Sequence, residues 1–154
     1  MADILKILLI EDVKSDAELI LREIKKGEIA INHLLVDNRT DYVKGLKSFN
    51  PDIIISDYSL PQFDGKSALL LRNELAPFVP FILVTGSLNE DVAVMCMKMG
   101  ADDYILKVNL TRVGLAIESA ISKYETLRQK IDSEEALKRS EEKYNSRKWC
   151  NLSI

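Results

Sequence analysis

The chain has 154 residues, 47% of them hydrophobic and 29% charged, and a formal net charge of −3. That length suits one domain with a short appendage and can bury a core without metal or disulfide staples. The composition excludes wholesale disorder and a broad basic footprint for nucleic acid; the longest apolar runs fall far short of a membrane span, and the first residues do not read as a signal peptide.

Taken in chain order, strand-like and helix-like segments alternate. Ile4 to Ile10 is an apolar run broken only by Lys6, as in a strand buried on both faces of a parallel sheet. Ser15 to Lys26 is amphipathic, Ser15-Asp-Ala-Glu18 reads as a capping box, and Gly27 is expected to end that helix. Ile29 to Val36 reads as a strand and Thr40 to Phe49 as a short helix stopped before Pro51. Asp52 to Ser56 holds a buried strand, Ser67 to Leu75 a helix, Phe81 to Val84 a strand, and Asn89 to Met99 a helix capped by Gly100. Tyr104 to Leu106 is a fifth strand, and a fifth helix starts at Leu110. Five strands alternating with five helices predict an α/β, doubly wound parallel sheet with right-handed crossovers. Ligands in such folds sit at the carboxyl ends of the strands.

Those ends carry an unusual set. Glu11 and Asp12 follow the first strand, Asp57 the third, Thr85, Gly86 and Ser87 the fourth, and Lys107 the fifth. Like charges brought together repel unless a cation or a hard metal relieves them. Lys107 supplies the first, and an all-oxygen set suits Mg²⁺ with a phosphoryl oxygen as a further ligand. A carboxylate there can serve as a nucleophile and become an aspartyl phosphate. His33, on the second strand, is expected to be structural, and Met95, Met97 and Met99 to fill core or surface. Cys96 and Cys150 are expected to be reduced thiols rather than a disulfide.

On Glu11-Asp12, Asp57, Thr85 and Lys107, and on the run from Asp57 through Pro61 to Gly65, the chain resembles the receiver domain of two-component response regulators from residue 4 to about 122. The resemblance implies a flavodoxin-like sheet of strand order 2-1-3-4-5 and a cytoplasmic phosphoacceptor, not an enzyme in its own right, that assists its own phosphorylation and dephosphorylation. Asp57 would take the phosphoryl group from a histidine kinase or phosphotransfer protein. Asp12, Asp57 and the Ser59 carbonyl would ligate Mg²⁺, and Glu11 would hold it through water. Lys107 would ion-pair with the phosphoryl group, Thr85 would hydrogen-bond to it, and the backbone at Gly86 or Ser87 would donate to it. Thr85 and Tyr104 would form the switch to the surface of the fourth helix, fifth strand and fifth helix. Val108 stands where the family usually has proline, so a trans bond and an altered loop are expected there.

Composition shifts after residue 122. All four prolines and all six glycines precede residue 115, and residues 122–154 carry +2, leaving −5 on the rest. The expected division is a receiver over 1–122, a helical linker or coiled-coil extension over 123–148 and a tail over 149–154. Ile117, Ile121, Tyr124, Leu127 and Ile131 form a helical seam, read either as a homodimerising, signal-transmitting helix or as a charged helix that solvates itself. Asp132-Ser-Glu-Glu135 reads as a second capping box, which implies a second helix or a stutter. The run Ser133 to Tyr144 resembles the helix that precedes PAS domains in histidine kinases, implying a longer receiver–PAS or kinase parent as the output partner.

Three other function classes compete. A phosphatase of the haloacid dehalogenase type needs a second Asp where Ser59 stands. An FMN-binding flavodoxin is opposed by Glu11-Asp12, which would repel its phosphate. A pseudo-receiver or dimerising scaffold would have no need of the intact acidic set. With neither a basic footprint nor an apolar span, nucleic-acid and membrane partners are not expected.

Overall fold

In the computed structural model, the backbone is described for residues 4–87 and 89–152 and side chains as far as Glu141. Trp149, Cys150 and the expected tail 149–154 lie outside the residues with described side chains. The order of elements is β1 (Leu5–Ile10), α1 (Lys14–Lys25), β2 (Ile31–Val36), α2 (Arg39–Ser48), β3 (Ile53–Ser56), α3 (Gly65–Leu75), β4 (Phe81–Thr85), α4 (Glu90–Lys98), β5 (Asp103–Leu106), a 3-10 segment (Lys107–Arg112) and α5 (Val113–Leu152). The strands form one five-stranded sheet of order β2-β1-β3-β4-β5, with all neighbours parallel. This is the doubly wound sheet that the alternation predicts, with the flavodoxin-like order that the resemblance implies.

The central strands are continuous apolar runs because both of their faces are covered. On one face Ile7, Leu9, Ile53, Ile55, Ile82 and Val84 pack with Ile20 and Ile24 of α1 and Val113 and Ile117 of α5. On the other, Leu8, Ile10, Ile54, Phe81 and Leu83 pack with Tyr42 and Leu46 of α2, Leu69 of α3 and Cys96 of α4. Alternate residues of one strand therefore serve different cores. Side chains such as Ile54 and Leu83 are fully buried, and each contributes about 1.5–3 kcal/mol. Met95 and Met99 lean on the second core while Met97 is exposed. Cys96 is buried as a free thiol, and His33 points outward on the edge strand.

Several termini differ from expectation. The Ser15 capping box does not form: α1 starts a residue earlier, Val13 is its N-cap, and no side chain caps it. The chain turns from β1 into α1 so quickly that Ser15 already lies inside the first turn. Gly27 follows the end of α1, but the left-handed residue there is Glu28, at φ 58°. Gly100 does take the left-handed conformation, at φ 110°. Its N–H reaches the Met97 carbonyl at 3.2 Å and the Ala101 N–H reaches Cys96 at 3.0 Å, the paired bonds of a Schellman ending. Asn38, Asp64 and Asn89 cap α2, α3 and α4 through their side chains.

The second capping box, at Asp132, starts no new helix: α5 is unbroken over its 40 residues. Without Gly or Pro after Gly114, a run rich in Ala, Leu, Glu, Lys and Arg continues on propensity alone. Contacts divide the chain into two compact units, Met1–Ile121 and Ser122–Ile154. Among the described residues no peptide bond is cis, as expected with Val108 in place of proline, and no helix is long and apolar enough to cross a membrane.

Candidate functional site

β1, β3, β4 and β5 end at the same edge of the sheet, which sets the residues that follow them side by side. The Asp57 N–H donates to the Ile10 carbonyl at 2.9 Å, extending the β1–β3 ladder to the point where the acidic residues begin. Glu11, Asp12 and Asp57 each offer a carboxylate oxygen, and the three oxygens lie within 4.8 Å of one another. Glu11 is 2% and Asp57 8% exposed, so neither charge is well hydrated; Asp12 is exposed.

Lys107 answers them. Its Nζ lies 2.8 Å from Glu11 Oε2, 3.1 Å from Asp57 Oδ2 and 2.7 Å from Asp16 Oδ2. Burial works against the ammonium, but its close contacts with the Asp16, Glu11 and Asp57 carboxylates outweigh that and hold Lys107 above the ordinary lysine range. The Glu11 carboxyl is pushed up by burial and by the charge of Asp57, which Lys107 and the Val13 N–H only partly offset. Glu11 Oε1 accepts the Val13 N–H at 3.1 Å. Glu11 Oε2 is buried without an aligned hydrogen bond, although the ammonium stands beside it. A buried carboxylate oxygen in that condition, among an all-oxygen donor set, fits a hard divalent cation such as Mg²⁺.

The other expected site residues surround this group less closely. The Ser59 N–H reaches Asp57 Oδ1 only at a long 3.4 Å. Thr85 ends β4 with 3% exposure, and Gly86 and Ser87 follow it, exposed. A Cβ on Gly86 would meet only the Lys107 Cδ, at an ordinary 3.9 Å, so packing does not demand a glycine there. Gly65 is different. A Cβ on it would lie 2.8 Å from Leu83 Cδ2, 2.9 Å from Tyr58 Cα and 3.0 Å from the Asp57 carbonyl. The loop that presents Asp57 is thus folded back on the start of α3, and the Gly65 N–H donates to the Tyr58 carbonyl at 2.9 Å. The Tyr104 hydroxyl donates to the Ser87 carbonyl at 3.2 Å, tying β5 to the loop after β4. Burial raises the Tyr104 hydroxyl pKa, and the backbone at Asn89 opposes the shift.

Two charged residues with tertiary partners were not anticipated. Asp16 has the shortest contact with Lys107, and nothing local in the sequence signals a partner 91 positions away. Arg72 is 2% exposed; it donates to the carbonyls of Val79 and Gly100 and lies over the Phe81 ring. Beside it, Asn73 Nδ2 donates to the Met99 carbonyl at 2.8 Å, so the carboxyl end of α4 is fastened to α3.

Comparison with known proteins agrees with this geometry. The family described as the response regulator receiver domain matches residues 7–117. The DNA-binding transcriptional regulator NtrC of Proteus hauseri is 33% identical over 102 residues, which are 66% of this chain and 22% of that protein. The match thus covers less than a quarter of that regulator's length. The signal receiver domain of a LuxO-type repressor protein from Vibrio parahaemolyticus superposes with a TM-score of 0.72 at 25% identity, covering 82% of this chain and 97% of that one. The Mn²⁺-bound form of the response regulator Rcp1 superposes with a TM-score of 0.62 at 26% identity, covering 74% and 91%.

Proposed function

Because the chain belongs to the response regulator receiver family of two-component signalling, we propose that Asp57 is its phosphoacceptor, charged by a phosphohistidine of a histidine kinase or phosphotransfer protein. The observation that carries this reading is the meeting of Glu11, Asp12 and Asp57 within 4.8 Å, with the Lys107 ammonium 3.1 Å from Asp57 Oδ2. In the transfer an Asp57 carboxylate oxygen forms a bond to phosphorus and the P–N bond breaks. The electron pair returns to the imidazole, which takes up a proton. The product on Asp57 is an acyl phosphate.

Each residue has a role in that step. Asp12, Asp57 and the Ser59 carbonyl would hold Mg²⁺, with Glu11 acting through water. The cation, when bound, supplies charge neutralisation for the phosphoryl oxygens, and the Mn²⁺-bound form of the related Rcp1 supports a divalent ion. Lys107 would move from the carboxylate to the phosphoryl group and balance its charge. Thr85 would hydrogen-bond to it, with the N–H groups of Gly86 or Ser87 as further donors. Its movement would break or remake the Tyr104–Ser87 link and alter the surface of α4, β5 and α5, a bistable element biased by a new dianion. The pseudo-receiver reading has less support, since nothing in a scaffold requires buried carboxylates around one lysine.

The division into a receiver over 1–122, a helical connection over 123–148 and a tail over 149–154 belongs to this proposal. The connection would carry the switch outward to a PAS, kinase or other output module, by homodimerising along the Tyr124, Leu127 and Ile131 seam. The domain would act in the cytoplasm and assist its own phosphorylation and dephosphorylation without being an enzyme for other substrates.

The test is titration with beryllofluoride and Mg²⁺, followed by backbone amide NMR. The expected result is shifts around Asp57 that extend through Thr85 to Tyr104 and are lost in Asp57→Asn. Shifts that persist in Asp57→Asn overturn the assignment.

A further inference from the structure

Lys107 has three carboxylate partners, and they are not equivalent. Glu11 and Asp57 belong to the group able to hold a cation. Asp16 stands outside that group, comes from α1 rather than from a strand end, and makes the closest contact, 2.7 Å against 2.8 and 3.1 Å. The ammonium donates to Asp16 and Asp57 and ion-pairs with Glu11. A divalent cation held by that group would compete with the ammonium for the Glu11 and Asp57 carboxylates and repel it. Held by those two alone, the lysine, on a flexible four-carbon stem, would leave the site as the cation entered. Asp16 is the partner the cation does not take.

We propose that Asp16 is a positioning residue that keeps the Lys107 ammonium at Asp57 while the neighbouring carboxylates engage a cation. The proposal rests on the phosphoacceptor reading of Asp57. α1 is well placed to fix Asp16. The Asp16 N–H donates to the Val13 carbonyl at 3.1 Å, and the next residue, Ala17, is buried at 2% exposure, as is Ile20 at 1%. The pair lies at the rim, with the Asp16 side chain 32% and the Lys107 side chain 18% exposed. Its effect is accordingly moderate and sensitive to salt.

The experiment has two arms. The first measures the rate of phosphorylation by acetyl phosphate at saturating Mg²⁺, by intact mass, for the wild type, Asp16→Asn, Lys107→Met and the double variant. Asp16→Asn is expected to slow the wild type about two- to fivefold and to change nothing in the Lys107→Met background, because its effect passes through the lysine. An equal fractional loss in both backgrounds, or no loss in either, overturns the proposal. The second arm needs neither phosphoryl donor nor metal. It follows the Lys107 ammonium signal by ¹⁵N NMR, expected to be protected in the wild type and broadened in Asp16→Asn. An unchanged signal overturns the proposal even if Asp57 accepts no phosphoryl group, an outcome that would by itself overturn only the reading of Asp57.

Discussion

At the amino end of the sheet, Asp52 and Asp102 precede β3 and β5 and bind the strand beside them. The Asp52 carboxylate accepts the Lys6 N–H at 2.8 Å while its own N–H reaches the Lys6 carbonyl at 2.8 Å. Asp102 repeats the arrangement with Phe81, again at 2.8 Å in both directions. At the carboxyl end, the carboxylates of Glu11, Asp12 and Asp57 crowd within 4.8 Å of one another; Glu11 and Asp57 each take one backbone N–H through one oxygen and share the Lys107 ammonium through the other. The residue types at the two ends overlap, and the difference lies in how the charge is satisfied. A carboxylate matched to one backbone N–H locks a register. Three carboxylates crowded together, two of them sharing one lysine, keep binding capacity in reserve, at some expense of stability.

Substitutions at the two ends of the sheet should have opposite consequences. Asp12→Asn or Asp57→Asn should weaken Mg²⁺ binding by more than about tenfold in calorimetric titration, whereas Asp52→Asn and Asp102→Asn should leave it unchanged. Gly65→Ala tests the loop that presents Asp57. The 2.9 and 3.0 Å contacts that its Cβ would make with Tyr58 and Asp57 backbone should cost about 1–3 kcal/mol in urea unfolding and disturb the site at the same time. Asp102→Ala should cost about 1 kcal/mol in the same assay and leave phosphorylation intact, since its hydrogen bonds with Phe81 lie at the opposite edge of the sheet.

The smallest effect is in pH dependence. Burial raises the Glu11 carboxyl above its ordinary 4.5. Between that value and the raised one, the folded protein keeps a proton that the unfolded chain has released. Without a divalent cation, stability therefore falls as pH rises through this window. Glu11→Gln should flatten that slope in unfolding measured in the presence of a chelator, and a slope of the same size in the variant would assign it to another group.

The strand ends were legible in the sequence because a buried parallel strand is an uninterrupted apolar run, so Ile10, Ile55 and Val84 mark where the chain emerges. The residue types that follow then identify the chemistry. The sheet order came with the resemblance and is what the strand pairings show. Asp16 and Arg72 were not legible, for a shared reason. Each is a charged residue on a helix, which local pattern assigns to solvent or to a cap, and its true partner is fixed only by tertiary packing. The Ser15 capping box failed because a four-residue motif cannot register how soon the chain turns after β1. The caps at Asn38, Asp64 and Asn89 could have been found, since each is an Asn or Asp that accepts the N–H three residues on. The unbroken α5 shows propensity overriding a capping motif where no glycine or proline enforces a stop.

The central claim is that Asp57 is the acceptor and that the surrounding carboxylates and Lys107 serve it. The direct measurement is intact mass after incubation with acetyl phosphate and Mg²⁺, for the wild type and Asp57→Asn side by side. The account predicts one added phosphoryl group, labile to hydroxylamine, on the wild type and none on Asp57→Asn. Equal incorporation in both proteins, or none in the wild type, would contradict it.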